Sequence, residues 1–319
     1  MTNDEKSGPA PAAVHSVHEF VFSVPDLKQA EHFYNSFGLE VRQEDGALGM
    51  SLGLYTVGKA QRWARVMQGE QKRLLWLTLG IYERDIAAFE SRLAQAGIAR
   101  IAPPAGAAAA GIWISAPDGL PVQLLVAEKC SPSVKSARIF APETSTSGRA
   151  PRTSAVAQVR PTHLSHILLF TPEVNASLRF YTEVCGLQLS DRSGDVIAFM
   201  HSPHGSDHHL IALAKSDGYG LHHSSWNVSS FDDVGLGSQQ MAKAGYAQGW
   251  GIGRHVLGSN YFRYVRDPWG SYAEYSFDID FIPSDAVWPA ADHPPEDSLY
   301  VWGTDLPGDF ITNHELHGA

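Results

Sequence analysis

The apolar positions of this chain follow two rhythms. A period of two marks strands, and a spacing of three and four marks amphipathic helices. Residues 18–39 (HEFVFSVPDLKQAEHFYNSFGL) read as an alternating strand, a proline turn and an amphipathic helix ending near a glycine. Residues 165–187 (SHILLFTPEVNASLRFYTEVCGL) repeat that order, and both helices carry Phe-Tyr, at Phe33-Tyr34 and Phe180-Tyr181. Residues 74–98 parallel 222–246, each with an Asp 12 residues before a Gly (Asp85 to Gly97, Asp233 to Gly245). Residues 112–126 parallel 262–277. The chain is an internal duplication with a period of about 148 residues.

In the second copy the pattern predicts strands over 164–170, 188–193, 196–202, 208–214, 221–228, 260–267 and 272–278, and helices over 174–185 and 231–244. Strand–helix–strands occurs twice per copy. The expected fold is α+β, with helices on one face of curled, mixed sheets and the other face left to enclose something. Pro, Ser and Thr content sets the divisions: a flexible arm at 1–14, an N-terminal module at 15–129, a linker at 130–160, a C-terminal module at 161–282, and a tail at 283–319 that is a candidate lid.

Composition narrows the function. With 44% hydrophobic and 18% charged residues the chain is a globular one, long enough to bury a core without staples. A net charge of −10 argues against broad binding to nucleic acid or anionic membrane. Two cysteines, Cys130 and Cys185, make neither a disulfide scaffold nor a Cys-rich metal site. No apolar run suggests a secretory signal or a membrane span, so a soluble cytoplasmic protein is expected. The 15 histidines stand out, concentrated in the second half.

The duplication supplies its own control. His166 lies 14 residues before Phe180, and Glu19 lies 14 before Phe33. His223 lies 22 before Gly245, where the first copy has Leu75. Glu274 lies 6 after Pro268, where the first copy has Gln123. Tyr264 corresponds to Trp113. Two imidazoles and a carboxylate therefore sit at repeat-equivalent strand positions in one copy and are absent together from the other. Such a set on one face of a divalent first-row metal leaves open positions for substrate and O₂. Zinc and manganese accept the same ligands. A single strand histidine is more often a hydrogen-bonded core or surface group than a ligand; the coincidence of three points to a site.

The run Gly253–Tyr275 (GRHVLGSNYFRYVRDPWGSYAEY) resembles the signature of type I extradiol ring-cleavage dioxygenases, in the vicinal-oxygen-chelate superfamily. It carries Gly253-Arg254-His255, Tyr264, Asp267-Pro268, Gly270 and Glu274, with Arg263 departing from the pattern. Ser165–Phe170, Phe199–His201 and Leu221–His223 also match. The resemblance spans about residues 15–280, with its sharp motifs after 163. It implies two tandem modules, each of two βαβββ units around a central pocket, the second holding the metal. It implies Fe(II), with Mn(II) as the alternative, on His166, His223 and Glu274; a catecholic substrate and O₂ as partners; and ring opening beside the two hydroxyls. It assigns acid–base chemistry to His201 and contacts with the substrate oxygen to His255 and Tyr264. It also implies a homo-oligomer, tetramer or dimer.

Other readings follow from the residues. His222, adjacent to a ligand, is expected on the opposite strand face. His208 and His209 are expected to be structural or at the pocket rim. Leu168, Leu257 and Gly258 stand where some relatives carry polar residues, which suggests a different ring substituent, either bulkier or less polar. Arg266 is a candidate carboxylate anchor, and Trp226 and Trp250 are candidate pocket walls. The rival functions are an O₂-independent, glyoxalase-like isomerase or transferase and a non-catalytic ligand-binding protein of the same superfamily.

Overall fold

The computed structural model describes residues 11–46, 48–140 and 150–316. Residues 1–10 of the expected arm, 141–149 of the expected linker and 317–319 of the expected tail lie outside these.

The first copy forms β1 (Ser16–Val24), α1 (Leu27–Phe37), β2 (Glu40–Gly46), β3 (Gly49–Tyr55), β4 (Arg62–Gln68), β5 (Arg73–Ile81), α2 (Ile86–Ala96), β6 (Ile112–Ser115) and β7 (Pro121–Val126). They make one mixed sheet in the order β2-β3-β4-β1-β5-β7-β6. Its second unit has one strand fewer than expected: β5 and α2 are followed by β6 and β7 alone.

The second copy has both units complete. It comprises β8 (His163–Thr171), α3 (Val174–Arg179), β9 (Gln188–Ser193), β10 (Ile197–His201), β11 (Ser206–Asp207), β12 (Ile211–Lys215), β13 (Gly220–Asn227), α4 (Phe231–Lys243), β14 (Gly249–His255), β15 (Tyr261–Arg266) and β16 (Tyr272–Phe277). The helix expected over 174–185 is α-helical to Arg179 and continues as a π turn over Phe180–Val184. β14 was not anticipated: with Gly249, Gly251 and Gly253 it has too few side chains to display an alternation.

Local sequence explains where the helices start and stop. Asp26 caps α1 by accepting from the Lys28 and Gln29 amides. Ser230 and Asp233 form a reciprocal capping box on α4. Gly38 ends α1 at φ +99°, and a Cβ there would lie 2.0 Å from the Val159 carbonyl, so only glycine lets that segment pass. Phe33 and Phe37 of α1 and Val234 and Met241 of α4 are buried in the core.

The tail adds β17 (Phe281–Ile282), β18 (Ala291–Asp292) and β19 (Tyr300–Trp302). β18 pairs with β9 and β19 with β14, so the tail covers both edges of the second sheet, β18-β9-β10-β12-β8-β13-β16-β15-β14-β19. The two copies are tied by a Phe37–Tyr275 stack at 3.9 Å, by the buried Lys72–Asp267 ion pair at 2.6 Å, and by Glu315. The Glu315 carboxylate accepts from the Leu74 amide of β5 (2.7 Å) and the Leu221 amide of β13 (3.0 Å). Ala13 and Val14, expected in a frayed arm, are fully buried, and the Val14 amide donates to the Cys185 carbonyl.

Candidate metal centre

Strand register builds the site. β13 lies between β8, antiparallel, and β16, parallel. Ser225 is in register with both His166 and Glu274, Glu274 with Tyr264, and Tyr264 with Trp250. This single row crosses five strands, and His223 lies two residues from Ser225 on β13, hence on the same face. The first sheet has the same row as Glu19, Thr78, Gln123 and Trp113. Two residues before Thr78 is Trp76, which pairs with Val21 as His223 pairs with Leu168. The register thus replaces Leu75 by Trp76 as the counterpart of His223. Counting back from the helix-end glycine misses by one, because the helices and their connections differ in length between the two copies.

His166, His223 and Glu274 are all buried, with ligand atoms within 4.8 Å of one another. The two Nε2 atoms are 3.3 Å apart, and Glu274 Oε2 lies 3.4 Å from His166 Nε2 and 3.6 Å from His223 Nε2. Adjacent ligands on an octahedron with bonds of about 2.1 Å stand roughly 3 Å apart. Glu274 Oε2 is buried with no hydrogen-bond partner among the described residues, whereas Oε1 accepts from Asn260 Nδ2 at 3.1 Å. An orphaned buried carboxylate oxygen between two imidazole nitrogens fits a divalent metal.

The remaining ring nitrogens are fixed by hydrogen bonds, as metal sites require. His222 Nε2–H donates to the Phe310 carbonyl (2.7 Å), leaving His222 Nδ1 to accept from His223 Nδ1–H (2.7 Å). His223 Nε2 is then free to bind. His255 Nδ1–H donates to the Leu299 carbonyl (2.7 Å), and its Nε2 accepts from the Tyr264 hydroxyl (2.9 Å). Burial holds the His223 and His255 pKa values below the usual range and pushes the Tyr264 hydroxyl well above its own.

A cavity of about 80 Å³ opens beside the triad. His209, His222, His255, Asn260 and Tyr264 line its polar side. Leu168, Phe199, Ala214 and Leu257 form much of its apolar wall, and Leu299, Phe310 and Ile311 of the tail complete it. Among the described residues no Arg or Lys lines it.

Several expectations are corrected. His201 does not line the cavity; its ring is held by Ser190 (2.7 Å) and Gln188 (3.2 Å). The alternation of β10 holds through Met200, with Ile197 and Phe199 on the cavity side and Ala198 and Met200 in the core, but at the strand's end His201 is drawn to Ser190, the extra residue of a bulge in β9, and to Gln188. His209 faces it instead, with its ring 4.0 Å from that of His166. His222 is not on the opposite face: a bulge between Leu221 and His223 brings it to the cavity as well. Trp226 is buried in the core with its indole donating to Ser224. Trp250 packs at 5.6 Å behind Tyr264 rather than on the cavity, and its Nε1–H donates to the Thr304 carbonyl. Arg266 is bound to Asp309 (2.7 Å) and His314 (2.8 Å), away from the cavity.

The first row holds a different chemistry. Arg62 pairs with Glu19 and with Glu44 (2.6 Å). Thr78 donates to Gln123 (2.8 Å), whose amide donates to the Ala110 carbonyl (2.7 Å). Glu19, Thr78 and Gln123 there each have a protein partner.

Comparison with known proteins agrees with this architecture. Residues 163–275 match the model of the Glyoxalase/Bleomycin resistance protein/Dioxygenase superfamily. Metapyrocatechase 2 of Cupriavidus necator is 49% identical over 304 residues, covering 95% of this chain and 93% of that protein. A halotolerant catechol dioxygenase, BphC, superposes with a TM-score of 0.71 at 21% identity, covering 93% of this chain and 97% of that one. A Mn(II)-bound glyoxalase from Novosphingobium aromaticivorans superposes at 0.70 with 24% identity, covering 92% and 93%. The chain belongs to the Glyoxalase/Bleomycin resistance protein/Dioxygenase superfamily. Within it, the chain groups with the extradiol dioxygenases. No helix among the described residues is long and apolar enough to cross a membrane.

Proposed function

We propose that this protein is an Fe(II)-dependent extradiol dioxygenase that opens a catechol carrying a small apolar ring substituent. One observation carries the reading: a facial His166–His223–Glu274 set opens onto an apolar cavity that also receives His209, His255 and Tyr264. The likeness to Metapyrocatechase 2 over nearly the whole chain supports it. When bound, the metal supplies sites for both catechol oxygens and O₂ and a route for electrons between them.

The protein groups then have distinct tasks. Tyr264 and His255, linked at 2.9 Å and anchored on Leu299, present polar atoms to a substrate oxygen. His209, against His166, is the group placed to take a catechol proton and return it. The apolar wall orients the ring and excludes water. Its lack of Arg and Lys, and the engagement of Arg266 with Asp309, favour an alkyl or halogen substituent over a carboxylate. The tail acts as a fixed lid, since Leu299 and Phe310 both shape the wall and hold imidazoles.

The test is anaerobic loading with Fe(II) or, separately, Mn(II), followed by a panel of substituted catechols and air. Stoichiometric O₂ uptake with a yellow ring-fission product is expected, fastest with iron and 3- or 4-alkylcatechols. Metal retention with no O₂ uptake on any catechol would overturn the reading in favour of an O₂-independent reaction. Faster turnover with Mn(II) would reassign the metal.

A further inference from the structure

His209 reaches into the protein as well as into the cavity. Its Nδ1 lies 3.0 Å from Nδ1 of His208, and His208 Nε2 lies 2.8 Å from Asp191 Oδ2. His208 is fully buried, and Asp191 and His209 are nearly so. Around His208 stand His209, the Phe199 and Trp288 rings and Asp191. Asp191 accepts from three more groups, all in the tail: His293 Nε2 (2.6 Å), Trp288 Nε1 (3.2 Å) and the Ala291 amide (3.2 Å).

These contacts fix where the hydrogens lie. Burial alone would raise the Asp191 pKa, but hydrogen bonds from His208 and His293 hold it below the usual range, so its carboxylate only accepts. His208 Nε2 therefore carries a hydrogen. In a neutral His208 the Nδ1 then has a lone pair, and His209 Nδ1 must donate to it. That leaves His209 Nε2 without a hydrogen. We propose that Asp191 is a positioning residue which, through His208, fixes His209 in the tautomer whose Nε2 lone pair faces the cavity. The arrangement repeats His223, where His222 and the Phe310 carbonyl do the same for a ligand. In both cases the sequence is His-His, the second ring serves the site, and the outer anchor depends on the tail.

The inference rests on His209 being the proton acceptor, and the experiment separates the two. His208→Gln can donate its amide to Asp191 and accept from His209, preserving the tautomer; His208→Leu and Asp191→Leu, which lack the acceptors, cannot. In zinc-loaded protein labelled with ¹⁵N-histidine, Nε2 of His209 should be unprotonated in the parent and in His208→Gln. It should become wholly or partly protonated in His208→Leu and Asp191→Leu. With iron loaded, kcat should fall about 10–100-fold in those two variants and stay within a few-fold in His208→Gln, with anaerobic catechol affinity unchanged throughout. A parent-like nitrogen spectrum in both His208→Leu and Asp191→Leu overturns the proposal. Since a buried carboxylate is removed in one variant, the His208 pair, judged at equal metal content, decides if Asp191→Leu does not fold. His209→Gln with parent turnover would instead overturn the role of His209 itself.

Discussion

The two sheets place the same row of strand positions at their centres and use it for opposite ends. In the second, His166, His223 and Glu274 converge with one carboxylate oxygen left unpartnered. In the first, Glu19 is neutralised by Arg62, Gln123 is satisfied by Thr78 and Ala110, and Trp76 fills the place of His223. One row keeps a carboxylate oxygen open for a ligand, and in the other the carboxylate and the amide are matched by protein groups.

Four outcomes bear on that contrast. The largest concerns Glu274. Glu274→Ala should remove most bound metal and lower catechol turnover by at least about a thousandfold, measured by metal analysis and O₂ uptake. The metal-free variant should unfold no lower in temperature than the metal-free parent, because the buried carboxylate removed has one oxygen unpartnered and the other held by Asn260 alone. Full metal occupancy in the variant would break the ligand assignment.

Next in size, His209→Gln should lower kcat about a hundredfold with the metal retained, while His201→Gln stays within about twofold. The reverse order in stopped-flow turnover would return the proton-transfer role to His201. In the first pocket, Arg62→Met leaves Glu19 buried without its partner. Stability should fall by about 2 kcal/mol in urea titrations, with kcat unchanged. No loss would mean that the first row is not held by its ion pair.

The smallest effect is acid lability. Burial lowers the pKa values of His15 and His201 from 6.5 to about 4. The unfolded chain takes up protons below pH 6.5, while these folded groups do so only near 4. Their stabilising effect is therefore complete above 6.5 and lost as pH falls from 6.5 towards 4. By pH 5 each should account for roughly 1–2 kcal/mol of lost stability. His201→Gln should flatten the metal-free protein's stability profile by that amount, and an unchanged slope would contradict it.

Much of this was legible in the sequence, for physical reasons. Alternation and helix-end glycines exposed the duplication, and spacing within it isolated His166, His223, Glu274 and Tyr264. What escaped reading were local departures from a period of two. The bulge at His222 and the bulge at Ser190 of β9 leave no mark in composition, yet the first brings His222 to the cavity and the second supplies the hydroxyl that holds His201. The paired dipeptides His208-His209 and His222-His223 were the available signal. Trp226, Trp250 and Arg266 failed as pocket residues because aromatic and cationic side chains also serve cores and tail contacts, and only packing tells these apart.

Glu315 carries a consequence for biosynthesis. Its carboxylate joins β5 to β13, and it follows Leu299 and Phe310, whose carbonyls orient two of the cavity histidines. On a translating ribosome the strands β1 to β16 can pair while these residues are still inside the exit tunnel. The nascent chain would then expose a metal-binding triad without the wall that selects its substrate. The cavity is complete only when the segment through Glu315 emerges and docks, bringing the Leu299 and Phe310 carbonyls to His255 and His222.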